Sequence, residues 1–139
     1  MKKACVFVCL IFAVCSITAQ VHIPLSKTLV GFWQLSKGTV HGNSETTGMF
    51  SVYNPDGTFY MFTIGGKEQP KATMLQCGTY TLTSDSTCNQ LMVKSFTMSS
   101  AGEGQKFQVR FQLVNDVTMI WKYSTNGLSW STEVWSRVE

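Results

Sequence analysis

Residues 106–114 read Lys-Phe-Gln-Val-Arg-Phe-Gln-Leu-Val, and this stretch decides the fold class. Its apolar residues alternate strictly with polar ones, which places Phe107 and Phe111 on one face and Arg110 on the other. An alternation with a period of two is typical of a β-strand with one buried face, whereas a helix repeats about every 3.6 residues. The pattern therefore predicts a strand whose Phe107 and Phe111 point into a hydrophobic core.

Seven further segments have the composition of strands, and turn signals separate several of them. The tetrapeptide at residues 54–57, Asn-Pro-Asp-Gly, has proline and glycine where a β-turn favours them. Asn126-Gly127 is typical of a tight hairpin. Only residues 24–30 could form a short turn of helix. Together the segments predict eight strands, at residues 30–36, 48–53, 58–64, 73–83, 87–96, 106–114, 117–123 and 129–138.

The order of these strands predicts an all-β domain. Sequential strands with short connections form an antiparallel meander, and a flat meander of this kind leaves two unpaired edges. Closing the sheet into an eight-stranded antiparallel up-and-down barrel removes both edges. A two-sheet β-sandwich is the alternative, because connection lengths alone do not exclude it.

The connections predict that the two ends of the barrel differ. Strand direction alternates, so the odd-numbered connections share one end and the even-numbered ones share the other. Three of the four odd connections are long, at residues 37–47, 65–72 and 97–105, whereas all even connections are short. Long loops at one end of a rigid scaffold often carry function, so this end is the predicted mouth of a cup. Tolerated insertions are the alternative explanation.

The first 19 residues predict a secretory signal peptide. Lys2 and Lys3 precede an apolar run at residues 4–14 that is too short to span a bilayer, and small residues lead up to Ala19. Residues 20–139 then form a single exported domain, periplasmic or secreted, with no transmembrane segment after cleavage. An uncleaved anchor and lipid attachment at Cys15 are the alternatives, although the bulky Val14 fits a lipidation site poorly.

Charge and cysteine content bear on partners and stability. Two of the 11 basic residues lie in the leader, so nine stand against 8 acidic ones, and no basic patch indicates nucleic acid as a partner. Cys77 and Cys88 flank a predicted two-residue turn at Ser84-Asp85, which places Cys77 opposite Met92. The two cysteines are then more than about 10 Å apart, beyond the reach of a disulfide. A longer or bulged loop would still allow the bridge.

The sequence lacks the residue constellations that catalysis requires. His22 and His41 are its only histidines, and neither stands in a motif that would activate a serine or at a metal-ligand spacing. Phosphate-binding loops and dinucleotide fingerprints are also missing. We therefore expect neither enzymatic activity nor a cofactor nor a metal ion.

Aromatic residues are the feature that bears most on function. They either fill the barrel or line a pocket for a small apolar or amphipathic ligand. The best candidates for ligand contact lie on strands six to eight: Phe107, Phe111, Met119, Trp121, Tyr123 and Trp130. In the alternative, a solid barrel binds a protein or a glycan at the cell surface through its loops or an outer aromatic face. That face would comprise Phe32, Phe50, Tyr60 and Phe62.

The first and last strands resemble the lipocalin and calycin pattern. Residues 29–35 read Leu-Val-Gly-Phe-Trp-Gln-Leu, and residues 133–138 read Glu-Val-Trp-Ser-Arg-Val. The resemblance lies in Gly31 and Trp33 on the first strand and Arg137 on the last. It implies that Trp33 plugs the closed end of the barrel and that Arg137 packs across its ring. Such a cation–π contact contributes about 0.5–2 kcal/mol and is structural in role.

The chain resembles one group more closely, the small exported lipocalin-like proteins of Bacteroides-type gut bacteria that form the DUF4488 family. The matching segments are residues 31–35, 54–60, 77–86 and 133–138. This resemblance implies the barrel and carries no assigned activity. The chain differs from fatty-acid-binding proteins because no helix pair separates its first two strands, which weakens the transfer of a hydrophobic-ligand role.

Overall fold

The computed structural model describes residues 28–37, 48–66, 68–96 and 102–138, which form one closed β-barrel. Each strand pairs antiparallel with the next, and the last strand pairs with the first. The strands are β1 (Gly31–Lys37), β2 (Met49–Tyr53), β3 (Thr58–Gly65), β4 (Lys71–Leu82), β5 (Thr87–Ser95), β6 (Lys106–Asn115), β7 (Thr118–Ser124) and β8 (Ser131–Arg137). The predicted eight-stranded antiparallel barrel is confirmed, and closure excludes the two-sheet sandwich. The predicted signal peptide, residues 1–19, lies outside the described residues.

Strand β6 faces the interior as its alternation predicts. Val109 and Phe111 are buried, while Arg110 between them is exposed. On β7, Trp121 lies opposite Phe111 and Met119 lies opposite Leu113, and both are also buried. Inward-facing side chains from all the strands thus meet in one core, which comprises Leu29, Trp33, Leu35, Tyr53, Phe59, Tyr80, Cys88, Val109, Phe111, Met119, Trp121 and Trp135.

The tight turn between β2 and β3 forms where the sequence predicts it. The backbone N–H of Gly57 donates to the carbonyl oxygen of Asn54 at 3.2 Å, and Gly57 has a φ of +83°. A residue with a Cβ rarely adopts that conformation, which explains the glycine at the end of the turn. The Tyr80 hydroxyl donates to the same carbonyl at 2.6 Å, so the turn is also fixed to β4.

The end of the barrel that carries the short turns is filled by Trp33, whose side chain is fully buried. Its indole N–H donates to the carbonyl oxygen of Leu29 at 2.9 Å. Arg137 lies directly opposite on β8 and places its guanidinium carbon 4.2 Å from the centroid of the Trp33 ring. This is the arrangement that the resemblance to lipocalins implies. Gly31 is required there, because a Cβ at its position would collide with the guanidinium group.

Arg137 also ties three backbone segments together. Its Nη1 donates to the carbonyl oxygen of Val30 at 2.9 Å, and its Nη2 donates to that of Thr28 at 3.1 Å. Its Nε donates to the carbonyl oxygen of Asp116, in the β6–β7 turn, at 3.0 Å. One side chain therefore holds the segment before β1, the last strand and the neighbouring turn in a fixed arrangement.

The hairpin between β4 and β5 differs from the predicted one. The backbone N–H of Thr83 donates to the carbonyl oxygen of Thr87 at 2.9 Å, so the connection is wider than the predicted two-residue turn. A bulge between Cys77 and Gly78 shifts the register further, and Cys77 lies opposite Lys94 instead of Met92. The predicted pairing of Cys77 with Met92 is therefore wrong. Cys77 and Cys88 are both free thiols.

Candidate functional site

The interior of the barrel contains a cavity of about 340 Å³. Met49 and Phe107, at the starts of β2 and β6, and Tyr123, near the end of β7, contribute to its wall. These positions lie toward the end at which the odd-numbered connections join the strands. The cavity therefore reaches the end that the loop lengths predict for the mouth, and it extends to Tyr53 and Phe59 beside the β2–β3 turn. Residues 38–47, 67 and 97–101 of those connections lie outside the described residues.

Aromatic rings form most of the cavity wall. Inward-facing positions on neighbouring strands place large side chains side by side, because every second residue of a strand points inward. Tyr53 contacts Phe59 and Trp121 with centroid distances of 5.8 and 5.4 Å, and Phe107 meets Tyr123 edge to face at 6.2 Å. The rings of this wall belong to Tyr53, Phe59, Phe107, Trp121, Tyr123 and Trp135.

One carboxyl group, that of Glu133, lies within this aromatic wall. Only 8% of Glu133 is exposed, and on β8 it lies directly opposite Trp121. The indole N–H of Trp135 donates to its Oε2 at 2.9 Å. Burial raises the pKa of Glu133 above its usual value, while hydrogen bonds from Trp135 and Tyr123 lower it in part. Among the described lining residues there is no Lys, Arg or His that could neutralise this carboxylate.

Two glutamines complete the polar part of the wall. The Nε2 of Gln90 donates to the Tyr53 hydroxyl at 2.8 Å, and the Nε2 of Gln76 donates to the sulfur of Met61 at 3.5 Å. Burial raises the pKa of Tyr53 far above its usual value, so its hydroxyl stays protonated across the physiological range. Each glutamine therefore already donates to an acceptor of the chain itself.

The six side chains predicted to contact a ligand fall into three groups: three line the cavity, two lie deeper in the core, and one faces outward. Phe107, Trp121 and Tyr123 line the cavity. Phe111 and Met119 face inward but lie further from the mouth, buried in the core, where Phe111 stacks on Trp121 with centroids 6.1 Å apart.

Trp130 does not line the cavity. Ser131, Glu133 and Trp135 are the inward-facing positions of β8, so the residue before Ser131 falls on the outer side. There the guanidinium carbon of Arg110 lies 4.3 Å from the centroid of the Trp130 ring, and the indole N–H donates to the carbonyl oxygen of Gly127 at 3.2 Å.

Sequence reasoning missed eight of the eleven described lining residues: Met49, Tyr53, Phe59, Met61, Gln76, Gln90, Glu133 and Trp135. The polar ones are Gln76, Gln90 and Glu133. A usable signal existed for two of them. Gln90 stands midway between Cys88 and Met92 on β5, and Glu133 stands two residues before Trp135 on β8, so both fall on inward-facing positions of an alternating strand. A polar residue at such a position is the informative exception to the burial pattern, because the burial of an unpaired polar group is costly.

A second aromatic cluster lies on the outside of the barrel. Phe32, Phe50 and Phe62 come from the adjacent strands β1, β2 and β3, and their ring centroids are 5.4–5.9 Å apart. All three are half-buried, and Tyr60 beside them on β3 is 39% exposed. This outer cluster is separate from the cavity.

The described ranges, residues 28–37, 48–66, 68–96 and 102–138, contain neither a metal cluster nor a membrane-spanning helix. No group of three or more His, Cys, Asp or Glu side chains in these ranges could hold a metal ion. The same ranges contain no helix long and apolar enough to cross a membrane.

Comparison with known proteins identifies one family. The model of a family described as "Domain of unknown function (DUF4488)" matches residues 28–139, which include all eight strands. No curated protein matches the chain.

Proposed function

The chain belongs to the DUF4488 family, and we propose that it is a binding protein that holds a small apolar or amphipathic molecule inside its barrel. The observation that carries this proposal is the aromatic-walled cavity of about 340 Å³. A small eight-stranded barrel can be filled by its own side chains or can hold one small ligand. A cavity of this volume lies in the usual range for small-molecule sites, which are mainly apolar with a few polar groups.

The energetics of such a ligand favour an amphipathic molecule. Burial of about 200 Å² of apolar surface contributes about 5 kcal/mol, before the entropic costs of association. A dissociation constant of about 1 µM requires about 8 kcal/mol. Apolar burial alone therefore falls short of micromolar affinity, so polar contacts with Gln76, Gln90 or Glu133 must supply the remainder.

The proposal extends to the place of action and the absence of catalysis. A leader with Lys2, Lys3 and an apolar run supports export to the periplasm or the exterior. Glu133 is the only carboxylic acid among the described lining residues, whereas hydrolysis of a glycoside commonly uses two. A carrier or sensor of a small molecule, acting without a cofactor, fits these features better than an enzyme does.

A titration with N-phenyl-1-naphthylamine, an uncharged dye that fluoresces in apolar surroundings, tests the proposal. We expect a saturable rise in fluorescence with one dye bound per chain. Met49→Trp places a bulky indole ring in the cavity and should abolish the rise in fluorescence. Val93→Trp adds the same ring at an outward position that is 55% exposed and should leave the titration unchanged. Equal titration curves for the two variants would show that the dye binds elsewhere, and the proposal would fail.

A second candidate function, a module that binds a protein or a glycan, is favoured by the outer cluster of Phe32, Phe50 and Phe62. Apolar side chains that meet on an outer face can mark an interaction site. On this hypothesis Phe62→Ser should weaken capture on a glycan array or by a protein partner. The dye titration of the same variant should remain like that of the wild type, because Phe62 faces away from the cavity.

A further inference from the structure

The carboxyl group of Glu133 is the one feature of the cavity that an apolar ligand does not explain. It is buried among aromatic side chains, and no cationic side chain is present among the described lining residues. A carboxylate removed from water without a partner of opposite charge is strongly disfavoured. Proteins therefore pair such groups or leave them protonated, and a bound molecule can be the missing partner.

The faces of the aromatic rings in the cavity wall share the electrostatic sign of the Glu133 carboxylate, whereas Trp135 presents its N–H edge to it. The faces of aromatic rings carry negative potential and attract cations, and organic ammonium groups are typically recognised by several such rings. Trp121 lies directly across from Glu133 in the β7–β8 pair, and the Trp135 indole holds Oε2 at 2.9 Å. The carboxyl group and these rings would therefore attract the same part of a ligand.

One N–H of each glutamine and the indole N–H of Trp135 are already engaged within the chain. The Nε2 of Gln90 donates to Tyr53, the Nε2 of Gln76 donates to Met61, and the Nε1 of Trp135 donates to Glu133. A ligand carboxylate would find no cationic side chain among the described lining residues and would be repelled by Glu133. A ligand that brings its own donors and a positive charge fits this wall.

We infer that the ligand is an organic cation, a protonated amine on an apolar body, whose ammonium group binds Glu133 while its body packs against Trp121 and Trp135. The inference rests on the proposed function and narrows it to one ligand class. Glu133 is then the residue that sets specificity, and the aromatic wall contributes most of the contact area. A neutral ligand of the same shape would leave the carboxyl group without a partner of opposite charge.

Three probes with the same phenylbutyl body test the ligand class: 4-phenylbutylamine, 4-phenylbutanol and 5-phenylvalerate. Their binding to the purified protein at pH 7.5 is measured by isothermal titration calorimetry. We expect the amine to bind about tenfold to hundredfold more tightly than the alcohol, the range that one charge-assisted hydrogen bond provides. The acid should bind more weakly than either.

Glu133→Gln is the decisive variant, because it removes the charge and keeps an oxygen that can accept from Trp135. It should bind the amine and the alcohol alike. Asp85→Asn, which removes one acidic group from an exposed turn at the opposite end, should retain the preference of the wild type. Circular dichroism shows whether each variant is folded. If Glu133→Gln does not fold, the ranking of the three probes on the wild type decides.

The outcomes separate this inference from the proposed function. Equal affinity of the wild type for amine and alcohol, tighter binding of the acid, or an amine preference that persists in Glu133→Gln would overturn the inference and leave cavity binding intact. Failure of all three probes and of N-phenyl-1-naphthylamine to bind would overturn both. An amine preference that Glu133→Gln removes and Asp85→Asn keeps would support both.

Discussion

Replacement of Arg137 by alanine should destabilise the barrel by about 3.5–4 kcal/mol. Arg137 donates three hydrogen bonds to backbone carbonyl oxygens at 2.9–3.1 Å, and alanine leaves those carbonyls to find water instead. A net hydrogen bond contributes about 0.5–1.5 kcal/mol, and we take about 1 for each at this half-buried site. The contact with the Trp33 ring at 4.2 Å adds about 0.5–1 kcal/mol.

Urea unfolding measures this loss, and the chain offers a matched control. Arg110 stacks on Trp130 at 4.3 Å, almost the same distance, but it does not reach the three carbonyls that Arg137 binds. Arg110→Ala should therefore cost about 1 kcal/mol or less. Circular dichroism follows the transition for both variants, and the midpoint shift multiplied by the slope gives the change in free energy of unfolding.

Comparison of the two variants separates the contribution of the three hydrogen bonds to carbonyl oxygens from that of the cation–π contact, because only Arg137 makes those hydrogen bonds. If Arg137→Ala loses no more stability than Arg110→Ala, the three hydrogen bonds contribute nothing and the account of barrel closure given above is wrong. Arg137→Lys provides a further check. It keeps the positive charge but lacks the planar fork that reaches several carbonyls at once, so it should recover only part of the loss.

Three further predictions concern Glu133, Gly78 and the cysteines. Burial raises the pKa of Glu133 in the folded chain, so protonation of its carboxyl group stabilises the fold. This contribution is complete below about pH 4.5, the pKa in the unfolded chain, and is lost as the pH rises through the folded pKa. Glu133→Gln should therefore be more stable than the wild type at pH 7.5, by a margin in thermal melts that disappears toward pH 4; a constant margin would contradict this. Gly78→Ala should cost about 1–3 kcal/mol or more in urea unfolding, because its Cβ would collide with the Leu91 carbonyl oxygen and lie 2.8 Å from Cε1 of Phe59. Gly65→Ala, with nothing within 4 Å of the added atom, should stay within about 0.5 kcal/mol. Burial raises the pKa of the Cys88 thiol to about 12, so a thiol reagent should label it only after denaturation, and a dithiol reductant should not shift the melting temperature; rapid native labelling of Cys88 would refute its burial.

The fold was predictable because β6 and the turns gave unambiguous local signals. The alternation in β6 fixed one strand and its buried face, and the Asn54–Gly57 turn fixed a hairpin. The eight strands needed only to be paired in order and closed. The β4–β5 register was not predictable, since it depends on a bulge at Cys77/Gly78 and on a connection wider than two residues. A bulge that suits the barrel leaves no clear trace in the alternation of residues.

The candidate site was only partly predictable, because apolar residues occupy both faces of several strands. Phe32, Phe50 and Phe62 face outward, so an aromatic side chain does not by itself mark the interior. The sequence predicts Trp130 as a ligand contact because it is aromatic, although it precedes β8 and faces outward. Glu133 was missed for the converse reason, because hydrophobicity assigns a charged residue to the outside. The signal that would have found it is its spacing of two residues from Trp135, which puts both side chains on one face of β8.

The pairing of β1 with β8 also governs when this chain can fold. Trp33 and Arg137 are partners across the seam, although nearly the whole domain separates them in sequence. Contacts between such distant residues slow folding, because the entropy of closing a long loop must be lost before they form. A nascent chain that still lacks β8 exposes one edge on β1 and another on β7, and both are competent to pair with other chains. Once β8, a strand of seven residues, is synthesised, it can pair with both β1 and β7. Aggregation through those two edges then no longer competes with formation of the native barrel.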